Sequence, residues 1–107
     1  MFDELMERLN NTGIPFRESG WAVAPATDYG VIDIDGGGAS EWADDRIVNQ
    51  AVQGTIDLYT RGAGRAQMKT VQEALNEAGV SWRFNSCQYE EDTKLMHYEW
   101  VFELEAI

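Results

Sequence analysis

Leu95-Met96-His97-Tyr98-Glu99-Trp100-Val101-Phe102-Glu103-Leu104-Glu105 reads as one β-strand with two unlike sides. Tyr98, Trp100, Phe102 and Leu104 fall on one side, and His97, Glu99, Glu103 and Glu105 on the other; only Val101 breaks the alternation. Successive side chains of a strand point to opposite faces, so aromatic residues and carboxylates alternating at a period of two describe a sheet buried on one face. The strand comes just before Ala106 and Ile107, so it is expected to complete a sheet.

The segment before it supplies the partner. Val80, Trp82 and Phe84 are apolar and even-numbered, as are Tyr98, Trp100, Phe102 and Leu104. Opposed residues share a face, so even positions should meet even positions. A turn centred on Thr93 satisfies this, with Glu91 facing Leu95, Phe84 facing Phe102 and Trp82 facing Leu104. On the outer face Arg83 then meets Glu103, and Cys87 and His97 lie diagonal to each other. A plain two-residue turn would put Trp82 opposite Glu103 and is rejected.

Further upstream, Met68, Val71, Leu75 and Ala78 form one helical stripe across residues 65–78, closed by Gly79. Residues 48–60 read as a long strand, with Val48, Val52, Ile56 and Leu58 on one face and Gln50 and Gly54 interrupting it. Residues 30–35 alternate as a strand, after which Gly36, Gly37 and Gly38 are expected to break regular structure. Residues 39–46 are expected to form an acidic loop or a single helical turn. A short strand is possible at 21–24. Phe2, Leu5, Met6 and Leu9 recur at helical spacing, with Asp3 and Glu4 suiting the positive end of the helix dipole.

Leu9-Asn10-Asn11-Thr12-Gly13-Ile14-Pro15-Phe16 and Leu75-Asn76-Glu77-Ala78-Gly79-Val80-Ser81-Trp82 share the pattern L-N-x-x-G-aliphatic-x-aromatic. Each leads from helix to strand through a glycine. The expected fold is α+β: a mainly antiparallel twisted sheet with two helices on one face, in the order α-β-β-β-α-β-β, forming one domain over residues 1–107.

Nineteen acidic residues against eight basic ones give a net charge of −11. Binding to phosphate backbones needs clustered Lys and Arg, so it is disfavoured. Three uses of the charge remain: solubility, repulsion of nucleic acid, or mimicry of it toward a basic partner. The lone cysteine excludes an internal disulfide. No apolar run approaches the roughly 20 residues of a membrane-spanning helix, and the acidic, amphipathic start does not read as a signal peptide.

The chemistry-bearing constellations are weak. On a twelve-position calcium loop, Asp33, Asp35, Glu41 and Asp44 occupy ligand positions, but Gly37 stands where a ligand is needed and the preceding segment is a strand. Cys87 and His97 lack a shielded pocket, and no third group is positioned to orient His97 except Glu99, two residues along, so a catalytic dyad is not expected. Gly62-Ala63-Gly64 lacks a phosphate-binding pattern. No enzyme activity, cofactor or metal is expected. Trp21 and Trp42, aromatic and near glycines, suit either an interface or the ends of the sheet.

Thr55-Ile56-Asp57-Leu58-Tyr59-Thr60, then Val71-Gln72-Glu73-Ala74-Leu75-Asn76-Glu77-Ala78-Gly79, then residues 89–103 with their Tyr98-Glu99-Trp100-Val101-Phe102-Glu103 run, resemble small tail proteins of long-tailed bacteriophages. The opening helix and Thr12-Gly13-Ile14-Pro15-Phe16 extend the resemblance, which weakens over residues 36–46. The resembling group is the tail terminator, or tail-completion, proteins of the head–tail joining region. It implies a non-enzymatic virion assembly protein, made in the bacterial cytoplasm, whose copies form a ring, commonly a hexamer. Such a ring would stop tail-tube growth, contacting the major tail protein and the head-closure connector, and DNA would pass through it without specific binding. Candidate interface or channel-facing residues are Glu41, Trp42, Asp44, Asp45, Glu90, Glu91, Asp92, Glu99 and Glu103. A monomeric acidic DNA mimic that inhibits a nucleic-acid-binding enzyme is the alternative.

Overall fold

Two amphipathic helices and five strands realise the expected order. The computed structural model describes the backbone of residues 1–43 and 46–105, and the side chains of 1–37 and 51–105. Helix α1 spans Phe2–Asn10 and buries Phe2, Leu5 and Leu9, the positions that its helical spacing brings to one face. Gly13, at φ +91°, turns the chain out of it. Asn10 Oδ1 then accepts a hydrogen bond from the Phe16 N–H at 2.9 Å, which ties the helix to the strand it feeds.

Strand β1 spans Phe16–Glu18. Residues 21–24 are not a strand. Ser19 and Gly20 are both left-handed, and the Trp21 indole donates to the Gly30 carbonyl at 2.9 Å, so the aromatic anchors a loop. Strands β2 (Tyr29–Ala43) and β3 (Arg46–Thr60) follow, then α2 (Arg65–Glu77), β4 (Ser81–Glu90) and β5 (Leu95–Leu104). The sheet order is β1-β2-β3-β5-β4. β1 lies parallel to β2, and every other pairing is antiparallel.

Both helices cover the same face. Leu5, Leu9, Val71 and Leu75 meet Ile32, Ile56, Leu58, Trp100, Phe102 and Leu104 in one buried cluster. Each such side chain contributes about 1.5–3 kcal/mol by leaving water. The exposed Arg8–Glu77 ion pair between the helices, at 3.2 Å, adds at most about 1 kcal/mol. Apolar burial therefore holds the helices in place. The even-numbered face of β5 is the centre of this core, as its alternation predicts: Trp100 and Leu58 are fully buried. The Trp100 indole still finds an acceptor, Gln72 Oε1, at 3.1 Å.

Two expectations about strands are corrected. The glycine triplet does not end β2. Residues 36–43 continue the strand, with irregularities between Ile34 and Gly36, Gly37 and Ser40, and Glu41 and Trp42. Glycines that would break a helix are here absorbed as bulges in a ladder. The expected acidic loop or helical turn at residues 39–46 is thus a two-stranded ribbon wherever it is described, pairing Ser40 with Gln50 and Ala43 with Arg46.

The final hairpin is also shifted. Trp82 faces Phe102 and Phe84 faces Trp100, so even positions do meet even positions, but two residues from the expected register. Asn85 is then skipped, and beyond it Cys87 faces Tyr98 and Glu90 faces Leu95. The hairpin closes through residues 91–94, with Lys94 left-handed at φ 60° and its N–H donating to the Glu90 carbonyl at 2.8 Å. Arg83 consequently stands opposite Val101, not Glu103, and donates to Asn85 Oδ1 at 3.1 Å.

Candidate functional site

The side of the sheet turned away from the helices is the candidate site. Cross-strand partners share a face, so the register gives its contents. One row holds Tyr29, Tyr59, His97 and Gln88; the next holds Val31, Asp57, Glu99 and Ser86; the next holds Asp33, Thr55, Val101 and Arg83; and Gln53, Glu103 and Ser81 follow. Four carboxylates, those of Asp33, Asp57, Glu99 and Glu103, thus point the same way from three strands. All four are partly exposed. Burial, together with Asp35 and Asp57, raises the Asp33 carboxyl above the usual aspartate range.

One end of the face is braced by aromatic rings. Trp21 meets Tyr29 edge-on at 6.5 Å, Tyr29 stacks on Tyr59 at 4.9 Å, and Tyr59 stacks on His97 at 4.4 Å. The Arg17 guanidinium lies over Trp21 at 5.8 Å. Burial, then the nearby Asp57 and Glu90 charges, pushes the Tyr59 phenol up to about 12. His97 ends the row between two carboxylates, with Nε2 2.6 Å from Asp57 Oδ1 and Nδ1 3.1 Å from Glu90 Oε2.

This geometry revises the reading of His97 and Cys87. The irregularity at Asn85 turns Cys87 onto the face of Tyr98, whereas His97 belongs to the opposite face with Gln88. The two side chains are therefore on different sides of the sheet and cannot act as a dyad. Sequence reasoning offered only Glu99 as an orienting group for His97. The actual partners come from β3 and from the far end of β4, and the bulge that aligns Glu90 with them has no sequence signature.

Asp33 and Asp35 lie in strand β2, not in a calcium-binding loop. Glu41 and Trp42 occupy the far end of β2. Asp44 and Asp45, like Ala106 and Ile107, lie outside the described residues. Glu91 and Asp92 are exposed in the β4–β5 turn, while Glu90 ends β4. Glu99 and Glu103 share the helix-free face, and Asn85 donates to Glu99. The seven candidate positions among the described residues therefore separate into the end of β2 (Glu41, Trp42), the end of β4 and the turn after it (Glu90, Glu91, Asp92), and the helix-free face (Glu99, Glu103).

Two further features bear on association. Past the Gly37–Val52 pair, the β2–β3 ribbon continues with no third strand beside it among the described residues, because β5 pairs with β3 only over Val52–Thr60 and β1 with β2 only over Gly30–Ile32. Six residues beyond Gly37 extend about 20 Å at strand spacing, and the molecule measures 52 × 26 × 24 Å. At the other edge, β4 has one neighbour among the described residues, β5, and presents its outer row of backbone donors and acceptors as a sheet edge. Phe84 and Tyr89 on β4 are 42% and 56% exposed, large values for aromatic residues.

Neither a family model nor a curated protein matches the chain. Among solved structures, it is similar to a chain in the virion of a native gene transfer agent (GTA) particle. That likeness has a TM-score of 0.56 at 16% identity, covering 92% of this chain and 88% of that chain. At such an identity the similarity is one of fold.

Proposed function

We propose that this chain is a non-enzymatic structural subunit of a phage-like virion, and that it acts as a ring-forming tail terminator. The observation that carries the proposal is the β2–β3 ribbon, which leaves the sheet without a supporting strand among the described residues. Two-stranded ribbons are marginal in water on their own, so this one is expected to gain its support from another subunit. The β4 edge is a different surface on the same molecule. A contact between two unlike surfaces is heterologous, and repeating it closes a ring when the rotation allows. The fold likeness to a chain of a gene transfer agent virion supports the same reading, as does the resemblance to tail terminators over most of the sequence.

In this reading copies of the chain assemble as a hexamer at the end of the tail tube. One side of the ring meets the major tail protein and the other meets the head connector. The helix-free face lines the passage, and its carboxylates keep DNA moving by denying it the counterion release that basic linings provide. Localisation in the virion, between head and tail, follows.

Sedimentation from dilute to concentrated protein, with and without tail tubes lacking this subunit, tests the proposal. A closed ring, in solution or on the tube end, is the expected result. A monomer at every concentration that also fails to join tubes overturns it.

A further inference from the structure

His97 touches a carboxylate with each ring nitrogen: Nε2 with Asp57 at 2.6 Å and Nδ1 with Glu90 at 3.1 Å. An ionised carboxylate only accepts hydrogen bonds, and a neutral imidazole carries only one N–H. Both contacts are hydrogen bonds only when the ring holds two protons. The two acceptors come from different parts of the sheet. Asp57 sits on the central strand β3, and Glu90 is the last residue of the edge strand β4. The ring spans the strand between them.

The surroundings favour the charged ring. Asp57 and Tyr59 face it from β3, Glu90 from β4 and Glu99 from its own strand, and Tyr29 on β2 stacks behind Tyr59. Arg61 acts on Tyr29, further along the same row. Thr93 in the turn donates to the other oxygen of Glu90 at 3.2 Å, which holds that carboxylate in place. The hydrogen bond to Asp57 is the largest influence raising the His97 pKa above its usual 6.5; burial opposes it, and the Asp57 and Glu90 charges add to it.

We propose that the His97 imidazolium is a latch fastening the turn end of edge strand β4 to the centre of the sheet, and that proton loss releases Glu90 and loosens the edge on which a second copy docks. The second clause rests on the ring reading above; the first does not. A neutral His97 keeps its one N–H for Asp57, the shorter contact and the more enclosed one, since the Asp57 side chain is 13% exposed and that of Glu90 35%. Nδ1 then presents a lone pair to a carboxylate, and the pair separates. The folded pKa is raised, so the latch is fully closed below 6.5 and opens as pH rises through the folded value of His97.

Two measurements test the proposal on the wild type and on Glu90→Gln, whose side chain is partly exposed and whose amide can donate to the neutral ring. The first is hydrogen exchange of the β4 amides near the turn, corrected for intrinsic exchange, together with the NMR titration of His97. Wild-type amides should lose protection about tenfold on the alkaline side of the His97 midpoint, the scale of one screened charge-assisted hydrogen bond. In Glu90→Gln the midpoint should fall and the pH step in protection should vanish. Unchanged wild-type protection across the midpoint, or the same step in the variant, overturns the latch. The second is sedimentation across the same range, where the wild type should assemble more readily on the acid side and the variant should lose that dependence. Rings with identical pH dependence in both proteins overturn the control of assembly. Absence of rings at any pH overturns the ring reading, and the exchange measurement still decides the latch.

Discussion

Gly54 shows how a single position can be read two ways. In the sequence it interrupts the apolar face of β3 and looks like a weakness. In the fold a Cβ there would run into the Asp33 carbonyl and the ring of Phe102, which is 1% exposed. The missing side chain is the space that Phe102 fills. Gly54→Ala should therefore cost about 1–3 kcal/mol, the usual range for forcing extra volume into a packed core. Gly36→Ala, where a Cβ meets nothing within 4 Å, should stay within about 0.5 kcal/mol. Urea midpoints at constant slope check both; equal effects at the two glycines would contradict the packing argument. The core aromatics of β5 were legible because period-two burial is local. Gly54 was not, because its reason lies 48 positions away on another strand. His97 follows the same logic: Glu99 is its sequence neighbour, but Asp57 and Glu90 are its partners.

At the scale of elements, the helices were the easiest to read and the hairpins the hardest. A helix carries its own hydrogen bonds, so the stripe through Val71 and Leu75 and the stop at Gly79 define α2 almost alone. A hairpin depends on register, and one skipped residue reverses the faces beyond it. Parity gave the correct face for Trp82 and Phe84, and the irregularity at Asn85 then reversed Cys87. The ribbon was missed for a related reason. Three consecutive glycines are a breaker by local propensity, yet a paired partner strand can carry them as irregularities. Gly37 and Val52 stand opposite each other where the ribbon leaves the sheet, so an Asn-Gly turn replacing residues 38–51 should close the shortened hairpin cleanly. Among the described residues, the members of the buried cluster all lie outside that segment. The shortened chain should thus keep its fold and thermal midpoint and, under the proposed ring reading, remain monomeric under conditions in which the full chain assembles. Light scattering and circular dichroism on the same samples separate the outcomes. A shortened chain that still forms rings would move the assembly surface elsewhere.

Across the whole molecule, charge and shape divide the labour. The helices and the aromatic side of the sheet bury one another, and the other side keeps Asp33, Asp57, Glu99 and Glu103 in a common direction. A net charge of −11 on 107 residues repels polyanions at long range, but screening over about 8 Å at physiological salt leaves the local face to decide close contact. Glu99 and Glu103 were legible as an outward row from the alternation of β5. Their neighbours from β2 and β3 were not, because strand order is not written in any one strand. In the proposed ring, with that face lining the passage, each of its carboxylates would repeat around it. Converting Glu103 to Lys should therefore leave folding and ring formation intact, since its side chain is partly exposed and lies away from His97. It should also create a repeated basic lining. The variant ring is expected to retain duplex DNA at low salt and release it steeply as salt rises, whereas the wild-type ring retains none. Electrophoretic mobility across a salt series reads this directly, and particles carrying the variant should deliver DNA less efficiently at unchanged particle number. Wild-type rings that hold DNA as firmly as the variant would mean that the helix-free face does not line the passage.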